Sequence, residues 1–418
     1  MNDAAKTAAM LARGRVLEDY KAIQEILYKV RKNGDKSVLE YEKKFNGVAP
    51  DSLRVSESDI KEAYKMTSKS QIESVKAARN ILEKTEHAIK AAQSNITITT
   101  GKTKITKKMI PIQSVGCYVP GGLARYPSSA VMSVVPAKVA GVRRIVVVTP
   151  PGPDGKIDPL TAVAAKICGA TEIYKTGGAQ AIAALSFGTD SIPKVDKIVG
   201  PGGSFVTLAK DMVSKYTSID MLAGPTELGI VADDSADPYH VALDLISQAE
   251  HSSDTQCYVI TDSKKLARSI NNNLSKLACK IKRKKIVRAS LKKNGFIAVC
   301  STTRQMAELA NMLAPEHLQV MTRRPQDMAS KITTPGMVLV GPHSPSAASD
   351  YLLGSNHILP TGGLGSTRGS LSMLDFVKMH TQVRASKSAL AEISVHLRTL
   401  TDAEGLPNHY EAVRGRLQ

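Results

Sequence analysis

An amide and an imidazole lie three residues apart at the end of a predicted helix, in the sequence SQAEH (Ser247 to His251). Asp237 can cap this helix and Pro238 suits its first turn. Residues three apart share a helix face, so the side chains of Gln248 and His251 point to the same side. Taken alone, His251 is explained by the favourable interaction between an imidazole and the negative end of the helix dipole. Together with donors from elsewhere, the pair can instead hold a metal ion.

Two later segments add further acid and imidazole groups. Pro315 ends a predicted helix and leaves Glu316 and His317 in a turn. Adjacent carboxyl and imidazole groups suit general acid–base chemistry, because histidine titrates near neutrality and the carboxylate can tune it or act on water. Solvent-exposed turn residues are an equally good interpretation. Asp350 and His357 lie in a segment that mixes turn formers with bulky apolar residues, which predicts that it packs over another part of the protein.

Near the end of the chain, Glu404 and His409 flank Pro407, and this pattern alone indicates a helix boundary. Taken with the earlier segments, the chain offers glutamine, histidine and aspartate side chains as possible metal donors, all of them oxygen or nitrogen ligands. Such a set suits zinc or another borderline divalent ion in an open, catalytic site. Spacing alone leaves the ligand set open, because the donors come from distant segments.

The composition argues against several classes of protein. The cysteines are odd in number and never in CxxC spacing, which disfavours a disulfide framework or a thiolate zinc site and predicts reduced thiols. No apolar run approaches the roughly 18 residues of a membrane span, and the N-terminus lacks a secretory signal. A soluble, cytoplasmic protein is therefore expected. The cysteines are Cys117, Cys168, Cys257, Cys279 and Cys300.

The formal net charge of +18 raises the question of a nucleic-acid partner. The basic residues collect in two short runs, Lys102 to Lys108 and Lys280 to Lys285, without interleaved aromatic residues. Tryptophan is absent and the aromatic share is 4%, so stacking platforms are scarce. Solvated basic faces are the favoured interpretation, with some steering of anionic ligands as an addition.

At 418 residues the chain predicts two or more domains. Helical periodicity from Arg15 to about Asn95 predicts a helical N-terminal region, and the stretch Ile96 to Lys108 predicts a hairpin or edge strand. Strand-like and helix-like blocks then alternate, which predicts two α/β units with parallel sheets, before the composition turns helical again after about Gly369. The predicted strands are 144–149, 172–175, 196–199, 228–232, 257–261, 296–300 and 337–340, and the predicted helices between them are 159–168, 177–185, 238–250, 263–274 and 304–313.

Glycine-rich turns could bind a dinucleotide if one of them followed a strand and opened a helix with the right spacing. The nearest candidate, Gly363 to Gly365 with Gly369, has the wrong spacing and context. Other glycine turns occur at 121–122, 177–178 and 200–203, and each alone is a weak signal. The common dinucleotide fingerprint is absent.

Six segments occur in a fixed order: GCYVPGGLARYPSSAVMSVVPAKVAGV, GGAQAIAALSFGTDSIPKVDKIVGPG, DMLAGPTELGIVADDSADPYHVALDLISQAEHSSDTQ, APEHL, SDYLLGSNHILPTGG and AEGLPNHYEAV. Together they resemble histidinol dehydrogenase, over nearly the whole chain from about Asp35. The resemblance implies zinc-dependent oxidation of L-histidinol to L-histidine through L-histidinaldehyde, with two NAD consumed, as the last step of histidine biosynthesis.

The same resemblance implies an α/β fold of two incomplete Rossmann-like parallel-sheet domains with helical N-terminal and C-terminal extensions. Residues 1–14 would form an arm, 15–117 with 227–370 the first α/β domain, and 118–226 the second. Residues 371–418 would form a helical segment that completes the active site of the partner in a homodimer.

Site residues are carried over from the resemblance position by position. Glu316 and His317 match the catalytic acid–base pair. One zinc ion per subunit would be bound by Gln248, His251, Asp350 and His409. Substrate contacts would come from these four ligands and from Thr226, His317, His357 and Glu404. NAD contacts would come from Tyr118, Gln180 and the position of Gly203.

Two departures from the family pattern stand out. Gly203 occupies the position after Gly-Pro-Gly where the family usually has asparagine, which removes an amide expected near the cofactor. Thr226 replaces a substrate-contacting serine and keeps the hydroxyl. Two alternatives stay open: a related zinc- and NAD-dependent dehydrogenase of another small alcohol, and a basic nucleic-acid-binding protein on the same scaffold.

Overall fold

The computed structural model describes residues 19–121, 125–278 and 280–418, so the predicted arm of residues 1–14 lies outside the described residues. Two five-stranded parallel sheets and one three-stranded antiparallel sheet form the framework, which confirms the predicted α/β class. The strands are β1 (Ile96–Thr100), β2 (Thr103–Pro111), β3 (Ser114–Tyr118), β4 (Arg144–Thr149), β5 (Glu172–Lys175), β6 (Lys197–Val199), β7 (Ser218–Ile219), β8 (Glu227–Ala232), β9 (Gln256–Thr261), β10 (Phe296–Val299), β11 (His317–Met321), β12 (Met337–Val340) and β13 (Val377–Ala385).

The helices of the described chain begin with a long N-terminal run and then alternate with the strands. They are α1 (Asp19–Asn33), α2 (Asp35–Asn46), α3 (Glu57–Met66), α4 (Lys69–Ala91), α5 (Pro127–Ala140), α6 (Pro159–Cys168), α7 (Gly178–Phe187), α8 (Ser204–Val213), α9 (Pro238–Ala249), α10 (Lys264–Leu277), α11 (Lys284–Asn294), α12 (Thr303–Leu313), α13 (Pro325–Ala329), α14 (Ser346–Ser349), α15 (Lys387–Ala403) and α16 (Pro407–Leu417).

The first parallel sheet, called here the β3 sheet, has the strand order β5-β4-β3-β6-β7. Its strands β3 and β4 are buried on both faces, and the β-branched run of β4 (RIVVVT) is typical of such a strand. Helices α3, α4, α5 and α6 cover one face, while α1, α2, α7 and α8 cover the other. The order in which strands are added to the sheet reverses between β3 and β6. This switch point creates a crevice at the carboxyl ends of these two parallel strands.

This packing differs from the predicted division of the chain. Strand β3 pairs with β4 and β6, so the predicted boundary between residues 117 and 118 falls inside a strand of the β3 sheet. The N-terminal helices also pack on this sheet, and α4 in addition lies beside Gly354 of the 227–370 unit, where a Cβ atom would be 3.1 Å from Thr85. The apolar stripe Ile23, Ile26 and Val30 of α1 lies in one core with Ile182 of α7.

The second parallel sheet, the β8 sheet, has the strand order β10-β9-β8-β11-β12. One face packs against α9, α10 and α11, and the other against α12 and α13. Strand β8 lies at the centre and β11 beside it, both fully buried. The parallel pairing sets Glu227, Gln256 and His317, the first residues of β8, β9 and β11, along one edge of the sheet.

The C-terminal segment is only partly helical, contrary to the prediction for residues 371–418. Strand β13 pairs antiparallel with β2, which also pairs with β1, in a small exposed sheet. In the sequence VKMHTQVRA of β13, apolar or small residues alternate with polar ones, and this period of two favours a strand over a helix. Helices α15 and α16 follow and pack against each other.

Two further expectations concern membranes and thiols. No helix among the described residues is long and apolar enough to cross a membrane. Of the cysteines that the structure describes, Cys117, Cys168, Cys257 and Cys300 are free thiols, as predicted, and Cys279 lies outside the described residues.

Candidate active site

The predicted zinc-binding pair lies at the C-terminal end of α9. The Asp237 side chain accepts a hydrogen bond from the backbone N–H of Tyr239 (2.8 Å), so the predicted cap forms. Since α9 connects two parallel strands and runs back against them, its C-terminal end reaches the amino edge of the β8 sheet. Gln248 is buried there, and His251, just beyond the helix, is half-buried.

A short helix brings Asp350 to the same edge. Asp350 directly follows α14, and Ser346 at the start of α14 donates through Oγ to Gln248 Oε1 (3.1 Å). The Ser346 backbone N–H donates to Gln319 Oε1 (3.1 Å), and Gln319 Nε2 donates to Asp244 Oδ2 on α9 (2.8 Å). These buried bonds fix α14 against α9, and therefore Asp350 against Gln248.

The imidazole of His317 lies between two carboxylates. Its Nδ1 is 3.7 Å from Glu316 Oε2 and its Nε2 is 3.6 Å from Asp350 Oδ1. Both ring nitrogens are buried without a hydrogen-bond partner among the described residues. Burial alone would lower the pKa of His317, but the charges of Glu316 and Asp350 outweigh burial and raise this pKa to about 10. His317, which the sequence predicts to lie in a turn, is thus the buried first residue of β11. Its two ring nitrogens are available to a ligand.

The carboxyl group of Asp350 is kept charged by the histidines around it. Burial would raise its pKa, but the facing imidazole of His317 and the nearby His357 and His251 hold the pKa below its ordinary value. The structure therefore places Gln248 and Asp350 at the same sheet edge, with His251 just beyond the end of α9.

A second carboxyl group fixes Glu316. The backbone N–H of Glu227 donates to Glu316 Oε2 (3.0 Å), and the backbone N–H of Glu316 donates to Glu227 Oε2 (3.2 Å). Glu227 Oε1 also accepts from the Gly362 backbone N–H (3.0 Å). Burial and the charge of Glu316 raise the pKa of Glu227 to about 7. The reciprocal bonds therefore orient Glu316, and one of the two acids is readily protonated near neutrality.

His357 forms another wall of the site. Its Nδ1 is 2.8 Å from the backbone oxygen of Asp350, and its Nε2 is 3.4 Å from Ser129 Oγ. Burial lowers its pKa, which favours the neutral ring. Because Nδ1 donates to a carbonyl, Nε2 of the neutral ring is an acceptor. Thr226 lies next to Glu227 at the same sheet edge and is half-buried.

Glu404 and His409 do not join this site within the chain. Both side chains are exposed, Glu404 at the end of α15 and His409 in α16. Across the part of the chain that the structure describes, no group of three or more His, Cys, Asp or Glu side chains is placed to hold a metal ion. Metal binding by Gln248, His251, Asp350 and His409 therefore stays a prediction.

The predicted NAD residues lie at the carboxyl edge of the β3 sheet. Tyr118 ends β3, and its hydroxyl accepts from the backbone N–H of Gly178 (3.1 Å). Burial raises the pKa of Tyr118 to about 12, so the phenol stays protonated and can donate its own hydrogen. Gln180 is buried in the first turn of α7. Gly203 caps α8 beside open space, with φ of −68°, so the backbone there accepts any side chain.

Sequence reasoning missed four residues that support this site. Glu227 directly follows the predicted Thr226, and Ser129 stands inside a quoted motif, so proximity to predicted residues was an available signal. Gln319 and Ser346 also lie near predicted residues, but their roles depend on the packing of α14 against α9, which no local pattern encodes.

A buried imidazole between carboxylates at one sheet edge, and glycine-rich turns at the edge of another parallel sheet, define an α/β enzyme with an acid–base site for a small molecule. The histidinol dehydrogenase family profile matches residues 13–417. The histidinol dehydrogenase of Lactiplantibacillus plantarum is 41% identical over 408 residues, covering 94% of this chain and 92% of that protein. That of Methanopyrus kandleri is 40% identical over 400 residues, covering 94% and 93%.

A solved structure gives the same result. The crystal structure of histidinol dehydrogenase from Elizabethkingia anophelis matches with a TM-score of 0.92 and 32% identity, covering 99% of this chain and 96% of that one. The chain belongs to the histidinol dehydrogenase family, whose members use NAD and zinc. The resemblance inferred from the six sequence segments is confirmed.

Proposed function

We propose that this chain oxidises L-histidinol to L-histidine through L-histidinaldehyde, reducing two NAD, at a zinc site completed by a second copy of the chain. Histidinol dehydrogenase activity, the last step of histidine biosynthesis, follows from family membership. The observation that supports the residue roles is His317, a buried imidazole with both nitrogens unpartnered between Glu316 and Asp350.

Gln248, His251 and Asp350 would hold the zinc ion. Their donor atoms are oxygen and nitrogen, as a borderline divalent ion in an open site requires, and the described chain places no lysine or arginine against Asp350 to compete for its carboxylate. When bound, zinc supplies Lewis acidity to the substrate hydroxyl and orients the amino alcohol. Glu250, between the two α9 ligands, is exposed and free for an outer contact.

His317 would act as the base in the first oxidation. It takes the proton of the carbinol hydroxyl while the hydride leaves the same carbon for the nicotinamide, which yields the aldehyde, NADH and one proton. To accept this proton the ring must start neutral. A cation held by Asp350 offsets one of the two carboxylate charges that favour the protonated imidazole.

Glu316 would act in the second oxidation. Its Oε2 is oriented by the Glu227 backbone N–H, and its carboxylate can take a proton from water as that water adds to the aldehyde carbon, while His317 returns the proton of the first step to the carbonyl oxygen. The resulting hydrate loses a second hydride to a second NAD and its hydroxyl proton to His317, which gives the carboxylic acid. A closed site would keep the reactive aldehyde from escaping between the steps.

A homodimer with shared sites would supply the remaining residues. Glu404 and His409 are exposed and remote from the chain's own cluster, so they are free to enter the site of a partner. Two exposed apolar residues of α15, Ile393 and Leu400, lie seven positions apart on one face of the helix that leads to Glu404, as expected of a surface that contacts protein. Glu404 would then contact the substrate amine or imidazole, and His409 would be the fourth zinc ligand.

NAD would bind at the carboxyl edge of the β3 sheet, through Tyr118 and Gln180. This edge has the crevice expected where strand order reverses, although the common fingerprint is absent. Gly203 leaves open space where the family pattern has an amide. A cytoplasmic location remains a prediction.

Chelation and product counting test the function. Histidinol oxidation should vanish when the metal is removed and return with added zinc, and it should form about two NADH per histidinol, because two hydrides leave the substrate. Good turnover of another small alcohol with none of histidinol would overturn the substrate assignment. Strong, salt-sensitive binding to DNA without turnover would favour the nucleic-acid alternative.

A further inference from the structure

The turn between β5 and α7 is held by a carboxylate from the N-terminal helices. Glu42 of α2 is fully buried, and its Oε1 accepts hydrogen bonds from Thr176 Oγ1 (2.7 Å), the Gly177 backbone N–H (2.9 Å) and Gln180 Nε2 (2.9 Å). Its Oε2 accepts from the side-chain amide of Asn46. The turn and the first residues of α7 thus converge on one oxygen atom.

Glu42 has no cationic partner within the described residues, so these hydrogen bonds alone compensate its burial. Burying a carboxylate without compensation costs several kcal/mol, and bonds to a charged acceptor are about twice as strong as neutral ones. The three donors of the turn are therefore held tightly. Any alternative position of Gln180 would leave the buried carboxylate short of one donor.

The same bond fixes the orientation of the Gln180 amide. Since Nε2 donates to Glu42, Oε1 must point away, and Oε1 is buried without a hydrogen-bond partner in the described chain. A Cβ atom on Gly178 would lie 2.8 Å from this oxygen, and Gly178 has a φ of +60° that favours glycine. The Gly178 backbone N–H in turn donates to the Tyr118 hydroxyl. A free acceptor and a free phenolic donor therefore flank one glycine.

We propose that Glu42 is a positioning residue for the dinucleotide. It touches no cofactor itself, but it orients the Gln180 amide so that Oε1 accepts a hydrogen bond from a donor group of NAD: a ribose hydroxyl, the adenine amino group or the carboxamide N–H. Phosphate oxygens are excluded at this point, because two acceptors would face each other. The inference rests on the proposed function in assigning NAD to this edge, and it makes α2 part of the cofactor site.

A leucine substitution tests the role through cofactor binding. Glu42→Leu frees the Gln180 amide to rotate, so the KM for NAD and the Kd for NADH in a fluorescence titration should rise about tenfold or more. The KM for histidinol and the zinc content should stay unchanged. Glu40→Leu, an exposed change on the same helix, is the matched control and should alter none of these values.

A conservative variant separates hydrogen bonding from charge. Glu42→Gln keeps an oxygen for the three donors of the turn, and Asn46 can present its own oxygen to the new amide, so the KM for NAD should stay within about threefold of the unsubstituted value. If Glu42→Leu does not fold, Glu42→Asp withdraws the carboxylate while keeping its charge and should raise the KM several-fold. A folded Glu42→Asp with unchanged KM, or a Gln variant as impaired as the leucine variant, would overturn the proposal.

A double-substitution cycle shows whether Glu42 acts through Gln180. Gln180→Leu removes the acceptor, so Glu42→Leu in that background should weaken NADH binding no further. Additive losses would contradict the positioning role, because they would show that Glu42 acts by another route. The unsubstituted chain is measured beside each variant: if it binds NADH but does not oxidise histidinol, the proposed function fails while the role of Glu42 stands.

An NAD analogue identifies the donor group. When a methyl ketone replaces the nicotinamide carboxamide, both riboses remain but the amide donor is lost. If the Glu42→Leu effect persists with this analogue, a ribose hydroxyl or the adenine amino group is the donor. If the effect disappears, the carboxamide is the donor, and either result supports a free acceptor on Gln180.

Discussion

The two parallel sheets present their functional edges in opposite ways. At the amino edge of the β8 sheet, charged side chains are packed close together, with His317 between Glu316 and Asp350. At the carboxyl edge of the β3 sheet, glycine turns expose the backbone, and a single carboxylate, Glu42, organises them. In the proposed function the first edge needs residues from a second chain, whereas the second edge is organised by residues of the same chain.

This contrast follows from what each edge must do. Acid–base chemistry needs titratable groups in one another's field, and such a cluster leaves atoms unsatisfied until a cation and substrate arrive. Binding a dinucleotide needs close approach to the backbone and a few fixed polar atoms, which the chain can arrange in advance. Changes at the β8 edge should therefore affect the chemical step, and changes at the β3 edge should affect cofactor affinity.

The largest expected effect is at the β8 edge. His317→Ala removes the proposed base, so kcat should fall about a thousandfold, while the Kd for NADH stays unchanged because the β3 edge is untouched. Steady-state kinetics and NADH titration measure the two quantities. His240→Ala, an exposed histidine of α9, should keep full activity. Full turnover by the His317 variant would remove the basis for placing the chemistry at this edge.

A smaller effect is expected away from both edges. Glu86 of α4 is buried, accepts from the Met373 backbone N–H (2.7 Å), and burial raises its pKa to about 7. The folded protein holds this proton from the unfolded pKa near 4.5 up to about 7, so the carboxyl group lowers the stability as pH rises through that window.

Glu86→Gln should therefore raise the free energy of unfolding by about 1 to 3 kcal/mol at pH 8.5, with the gain vanishing toward pH 4.5. Denaturant unfolding at several pH values measures this difference. The KM values should not move, because Glu86 lies at neither edge. A gain that stayed constant with pH would contradict the raised pKa.

The smallest expected effect is tighter NAD binding at the β3 edge. Gly203→Asn places an amide in open space and can also cap α8, so the KM for NAD should fall about threefold. Gly202→Asn is the contrasting variant, since a Cβ there would lie 2.4 Å from Val206 and should weaken NAD binding instead. An unchanged KM in Gly203→Asn would place the missing amide outside the cofactor's reach.

Much of the fold could be predicted from periodicity, and the reasons are local. Strands β4, β5 and β12 and helix α6 have the predicted bounds, because β-branched runs and capped apolar stripes specify them within the segment. Strand β3 was missed because a short, fully buried strand shows no alternation. Strand β13 does alternate, but its polar composition was taken for helix.

The site was less accessible to sequence reasoning, because its geometry depends on distant elements. His317 was placed in a turn with solvent exposure as an equal alternative, yet it begins a central strand. Its neighbours Asp350 and Gln248 reach it only through the packing of α14 against α9. The hydrogen bond between Glu42 and Gln180 joins residues that lie 138 positions apart in sequence, and no local pattern encodes such a contact.

Subunit mixing tests the central claim that the β8 edge is completed by a second chain. Homodimers of His317→Ala and of His409→Ala should each be nearly inactive, for loss of the base and of a zinc ligand respectively. After the two are unfolded together and refolded, heterodimers should contain one complete site, made of His317 from one chain and His409 from the other, and should recover about half the activity of an unsubstituted dimer. No recovery in verified heterodimers would show that each chain builds its own site.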